Sequence, residues 1–125
     1  MNDREKIIQN YIDGYNQFDT DKMVADFDDD VIFENIQNGN VNMSLAGLQA
    51  FREQAEQAKA YFTKRKQTIL STRHSGDTSE IEINYYAVLG MDFPNGLKKG
   101  QELTMQGRSV FEFRGNRIIK LTDLS

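Results

Sequence analysis

Glu80-Ile81-Glu82-Ile83-Asn84-Tyr85-Tyr86-Ala87-Val88-Leu89 decides the fold. Ile81, Ile83, Tyr85 and Ala87 alternate with Glu80, Glu82, Asn84 and Tyr86, the period of a strand with one buried face. Toward the C-terminus, Pro94-Asn95-Gly96 turns the chain. Leu103, Met105, Gly107, Ser109, Phe111 and Phe113 then alternate with Thr104, Gln106, Arg108, Val110 and Glu112. Gly115-Asn116 makes a two-residue loop into a last strand over 117–124. Toward the N-terminus, Ser75-Gly76-Asp77 closes a further strand over 66–74. Four successive strands joined by short turns are antiparallel.

Before about residue 64 the period is that of a helix. Ile8, Tyr11, Ile12, Tyr15 and Phe18 predict an amphipathic helix over 3–18, with Asn2 and Glu5 at capping-box spacing. Asp19-Thr20-Asp21 opens a short second helix that runs to Phe27. Asp28-Asp29-Asp30 punctuates, Val31-Ile32-Phe33-Glu34 reads as a strand, and Gln37-Asn38-Gly39-Asn40 as a turn. Ser44 is the expected cap of a third helix over 45–62, with Leu48, Phe51, Ala55, Ala58 and Phe62 on its inner face. The expected architecture is α+β: three helices on the concave face of a curved antiparallel sheet, enclosing a pocket.

The 125 residues suit one domain, 1–125, large enough to bury roughly two-thirds of its unfolded surface. There is no cysteine, no apolar run of membrane-spanning length and no signal-peptide pattern at the start, so a cytoplasmic protein is expected. A net charge of −4 argues against nucleic acid or an anionic membrane as partner. Lys64-Arg65-Lys66 reads as a solvated basic cluster. No cofactor or metal is expected. His74 is the only histidine, Asp26, Asp28 and Asp30 lack the glycine and distal glutamate of a calcium loop, and Gly96 to Gly100 is not followed by a phosphate-loop Lys-Ser/Thr.

The order of helix, Asp19-Thr20-Asp21, short helix, Phe27-Asp28-Asp29-Asp30 and Val31 to Asn35 resembles the nuclear transport factor 2-like superfamily. The C-terminal half, with Gly107-Arg108-Ser109-Val110-Phe111-Glu112-Phe113 and Gly115-Asn116-Arg117-Ile118-Ile119, extends the resemblance over nearly the whole chain. It points to the polyketide-cyclase (SnoaL-like) and ketosteroid-isomerase-like branch. The resemblance implies a cone-shaped α+β barrel, an internal pocket and a homodimer. It does not imply one chemistry, because the superfamily holds isomerases, epoxide hydrolases, cyclases and binding domains.

Ketosteroid isomerases resemble the first 35 residues without a gap. Their oxyanion tyrosine matches Tyr11, their general base falls on Asn35, and their second oxyanion donor falls on Ser109. Limonene-epoxide hydrolases match best near the end, where their last-strand acid falls on Asp123. Their arginine and second aspartate fall within 81–84, which supplies neither an arginine nor an inward acid. Each catalytic set is incomplete in this chain.

Asp123 shares the inward side of its strand with Ile119 and Leu121, where desolvation raises a carboxyl pKa and suits acid–base work. The alternative is a solvated residue at a frayed end. Tyr11 is either a donor to a ligand oxygen or a core aromatic. Tyr15, Phe33, Asn35, Phe51, Met105, Ser109 and Phe111 are the other expected pocket residues, with Tyr15 also serving as packing. Two function classes follow. One is a binding module for an apolar or partly polar small molecule. The other is a proton-transfer enzyme, an isomerase, cyclase or hydrolase, with Asp123 as acid/base and Tyr11 as oxyanion donor. A pure dimerisation scaffold follows if Phe33, Met105 and Phe111 fill the pocket. Asn84, Tyr86, Val88, Thr104, Gln106, Arg108 and Val110 compose the outer sheet face, a mixture suited to an isologous interface.

Overall fold

The computed structural model describes residues 3–125. Helices α1 (Asp3–Asn16) and α2 (Thr20–Met23) precede strands β1 (Phe27–Gln37) and β2 (Asn40–Ala46). Helix α3 (Leu48–Ala58) and one 3-10 turn (Lys59–Tyr61) follow. The last four strands are β3 (Phe62–Ser75), β4 (Thr78–Leu89), β5 (Glu102–Arg114) and β6 (Arg117–Leu124). All six strands form one curved, unclosed sheet in the order β2-β1-β6-β5-β4-β3. The four-strand run expected after residue 64 is present and antiparallel. The pair β1–β6 is parallel, because the last strand slots between β5 and the first.

The N-terminal half departs from the sequence reading in three places. The expected helix start at 45 is instead β2. Asn38 and Gly39 both adopt positive φ (51° and 79°), which makes Gln37 and Asn40 the ends of a two-residue hairpin rather than a loop into a helix. Ser44 therefore pairs with Glu34, and α3 begins only after Gly47 (φ 94°). The three aspartates do not break the chain. They lie inside β1, where its register against β6 is irregular between Phe27 and Ile32. The second helix ends at Met23, and Phe27 opens β1 instead of closing that helix. The capping box at Asn2 lies outside the described residues.

Buried Ile8, Tyr11 and Ile12 of α1 meet Phe51 and Ala55 of α3 and the inner faces of β1, β4, β5 and β6. Each large side chain so buried contributes roughly 1.5–3 kcal/mol. An aromatic seam runs through this layer, with ring centroids 5.7 Å apart for Phe111–Tyr11, 5.6 Å for Tyr11–Phe27, 4.9 Å for Phe27–Phe51 and 5.4 Å for Phe51–Phe33.

Polar ties fix α1 on the sheet at both ends. At its C-terminus, Asn16 accepts from the Gln67 backbone N–H (2.8 Å) and donates to the Gln67 carbonyl (3.1 Å), so one side chain continues the β3 backbone ladder. At its N-terminus, His74 engages Glu5 (3.1 Å) and Ser79 (2.6 Å) through its two ring nitrogens. His74 can face inward because a register shift between Ile69 and Ser71 reverses the phase of β3. Gly14 lets α2 approach: a Cβ there would sit 2.6 Å from the Met23 nitrogen. Among the described residues, no helix is long and apolar enough to cross a membrane.

Candidate functional site

The site is organised by β6. Its register against β5 shifts between Glu112 and Phe113, so Ile118 is the buried residue and Ile119, expected to face inward, is only half-buried. Beyond that irregularity Leu121 and Asp123 point inward together, with Ser109 paired to Asp123 on β5 and Asn35 paired to it on β1. Asp123 is thus a wall residue and not a solvated end. Ser109 Oγ donates to its carboxylate at 2.7 Å. Burial raises the Asp123 pKa to about 6, and the bond from Ser109 opposes that rise.

Two chambers adjoin at this residue. The inner one, about 160 Å³, lies under α3 between Tyr11, Phe33, Phe51 and Arg65. The outer one, about 310 Å³, opens between β5 and β3, with Gln67, Tyr85, Met105 and Ser109 in its walls. Tyr15, Asn35 and Asp123 line both. Asp123 therefore stands at the junction, within reach of a molecule that spans the two.

The expected site residues divide accordingly. Tyr11, Tyr15, Phe33, Asn35 and Phe51 line the inner chamber, and Ser109 and Met105 the outer one. Met105 is 47% exposed, so it forms a rim rather than a floor. Phe111 lines neither chamber. It is fully buried behind Tyr11 and belongs to the core, because its own strand neighbours and α1 cover it from both sides. Asn35 donates to Asn42 (2.8 Å), which in turn donates to Gln37 (2.8 Å), so its amide is oriented by β2.

The sequence reading missed Arg65, Gln67 and Tyr85. Arg65 is only 5% exposed and sits on the inner face of β3, contrary to the solvated cluster expected at 64–66. Its guanidinium lies 3.9 Å from the Tyr15 ring centroid and 4.4 Å from that of Phe18, and its Nε donates to the Tyr15 carbonyl at 2.7 Å. A local signal existed. Arg65, Gln67 and Ile69 alternate with Lys64, Lys66 and Thr68, the phase of a strand with its first set inward.

Tyr85 shares a 2.7 Å hydrogen bond with the Tyr15 hydroxyl. Burial raises the pKa of Tyr11 well above its ordinary value, the negative charge of Asp123 adds to the rise, and Arg65 opposes it. Tyr15 and Tyr85 are raised too, chiefly by burial. All three stay phenolic near neutral pH and can donate hydrogen bonds. The chambers thus combine a carboxyl that titrates near neutrality, phenolic donors, aromatic walls and two cations, buried Arg65 in the inner chamber and exposed Arg108 in the outer one.

The SnoaL-like domain family model matches residues 8–121. No curated protein matches the chain. Among solved structures, a proposed polyketide cyclase from Xanthomonas campestris pv. campestris is 20% identical, with a TM-score of 0.82 over 99% of this chain and 93% of that one. An LEH-like epoxide hydrolase of M. tuberculosis is 16% identical, with a TM-score of 0.77 over 98% and 81%. A protein of ketosteroid isomerase-like fold from Catenulispora acidiphila, solved with trimethylamine, is 14% identical, with a TM-score of 0.77 over 94% and 83%. At these identities the likeness is one of fold.

Proposed function

Because the chain belongs to the SnoaL-like domain family, we propose that it binds a small, partly polar organic molecule across its two chambers and moves a proton on it. Asp123 is the acid–base group, and Tyr11 donates a hydrogen bond to the ligand oxygen that gains charge. The observation that carries this reading is the placement of Asp123 at the junction of the chambers, with a pKa raised to about 6. A general base works best with a pKa near the operating pH, where it is largely ionised yet still basic enough to accept a proton. Ser109 fixes the carboxylate orientation, and the buried phenol of Tyr11 meets developing negative charge without ionising.

A second reading is binding without chemistry in the same cavity. It is favoured by Asn35, an amide that cannot accept a proton near neutral pH and that stands where the resemblance to ketosteroid isomerases puts their base. Incubation with a panel of enolisable ketones in deuterated water, followed by NMR, separates the two. Deuterium incorporation that requires Asp123 supports proton transfer. Saturable binding of a panel member without incorporation replaces it with the binding reading.

A further inference from the structure

We infer that the inner chamber is a receptor for a carboxylate, so that the ligand class is a small organic acid held by Arg65. This deepens the reading above by naming what the chamber opposite Asp123 recognises. Burying a guanidinium is costly unless its charge and its donors are matched. Arg65 is 5% exposed, yet among the described residues no carboxylate lies within ion-pair distance of it. Its hydrogen-bond partners are one neutral carbonyl, that of Tyr15, and the thioether of Met23 at 3.9 Å. Those use Nε and one Nη2 hydrogen of a group with five N–H donors.

The surroundings point the remaining donors at a ligand. The rings of Tyr15 and Phe18 lie within stacking distance of the guanidinium, so its edge is left for hydrogen bonding. Phe18 holds its ring there from a left-handed backbone (φ 57°), a conformation that is strained for a non-glycine residue. Of the residues that line the inner chamber, only Arg65 and Asp123 carry charged groups, and the two are not paired with each other. Lining residues from α3, β1 and β2 are neutral, those from α1 are the phenols Tyr11 and Tyr15, and α2 adds the thioether of Met23. A chamber of about 160 Å³ takes a carboxylate on a small ring, since an apolar cavity of about 150 Å³ holds benzene. A competing account makes Arg65 only a cap for α1, which has no basic residue in its last turn. That role uses Nε alone and predicts no preference for an anion.

The test is calorimetric titration of the full chain with benzoate and with benzamide, a neutral molecule of the same shape. Benzoate is expected to bind at least about tenfold tighter at about pH 5.5. Its advantage shrinks as Asp123 ionises and places a second negative charge in the chamber. Asp123→Asn should tighten benzoate at about pH 8 and flatten that dependence. Arg65→Gln should abolish the preference for benzoate while benzamide still binds. If that variant does not fold, the two ligands on the parent and on Asp123→Asn decide alone. Equal affinity for both, or no benzoate binding at about 10 mM, overturns the carboxylate receptor. Neither result touches proton transfer, which fails separately if the ketone panel shows no exchange.

Discussion

Ser109 and Asp123 face one another as a register pair across β5 and β6, joined by a 2.7 Å hydrogen bond in which the serine hydroxyl donates to the carboxylate. The bond favours the charged form and so opposes the desolvation that raises the pKa. Ser109→Ala should therefore move the Asp123 pKa further above 6, by about one unit if the bond is worth the usual 1.5 kcal/mol or so of a charged acceptor. Carboxyl-carbon NMR titration reads this directly. A pKa that stays put or falls would show that the hydroxyl does not act on the ionised form.

Asp123 also links stability to pH. Its folded pKa, about 6, lies above its ordinary value of 3.8, so the native state holds a proton that the unfolded chain has released between those values. Stability contributed by the protonated carboxyl is present below the unfolded value and is lost as pH rises through the folded one, by up to about 3 kcal/mol. Asp123→Asn should raise Tm at pH 7 more than at pH 3. A difference that does not change with pH would mean that the carboxylate is solvated.

Gly14 should tolerate no side chain. Alanine is the better helix former by about 1 kcal/mol, but its Cβ would lie 2.6 Å from the Met23 nitrogen and 3.0 Å from the Lys22 carbonyl carbon. Both are backbone atoms and cannot swing aside. Gly14→Ala is expected to destabilise by about 1–3 kcal/mol in urea unfolding, as overpacking does elsewhere. A stabilised variant would show that α2 moves freely on α1.

Asn16→Ala should cost about 1–3 kcal/mol, because it leaves the Gln67 backbone N–H and carbonyl without their partner in a half-buried place. Exchange of the Gln67 amide hydrogen is expected to quicken more than that of Ile81, whose strand does not depend on Asn16. Equal protection at both sites in the variant would rule out this role for the side chain.

What could be read from the chain, and what could not, follows from the range of each signal. Alternation within β4 and β5 is local, so their faces were legible, and in β6 it put Leu121 and Asp123 on one side while leaving open whether Asp123 was solvated. Register shifts are not announced by residue type. Those beside Leu70 and Ile119 put His74 on the inner face and exchanged Ile118 for Ile119. Arg65 was obscured by its neighbours, since two flanking lysines make any arginine look solvated. What permits its burial comes from Tyr15 and Phe18, some fifty positions earlier. The parallel pairing of β1 with β6 left no local mark at all.

A homodimer through the outer sheet face is our remaining expectation. Asn84 pairs with Gln106 and Tyr86 with Thr104 on that face, beside Val88 and Val110, and Glu82 pairs with Arg108 next to them. Sedimentation at micromolar concentration should give twice the chain mass, and Tyr86→Glu should reduce it to one. A monomer mass for the parent removes the idea.

The parallel pair has a kinetic consequence. Phe33 meets Leu121 and Asn35 meets Asp123, partners 88 positions apart, whereas β3 to β6 pair in chain order through connections of at most about a dozen residues. Closing the long loop has an entropic penalty that local hairpins escape, and such non-local pairing slows folding. Until it closes, β6 has a neighbour on one side only, and Asp123 lacks the wall that Asn35 supplies. The junction between the chambers is therefore among the last features to assemble. In a refolding experiment, ligand-binding competence should lag behind the signal of β structure, with the two appearing as separate phases.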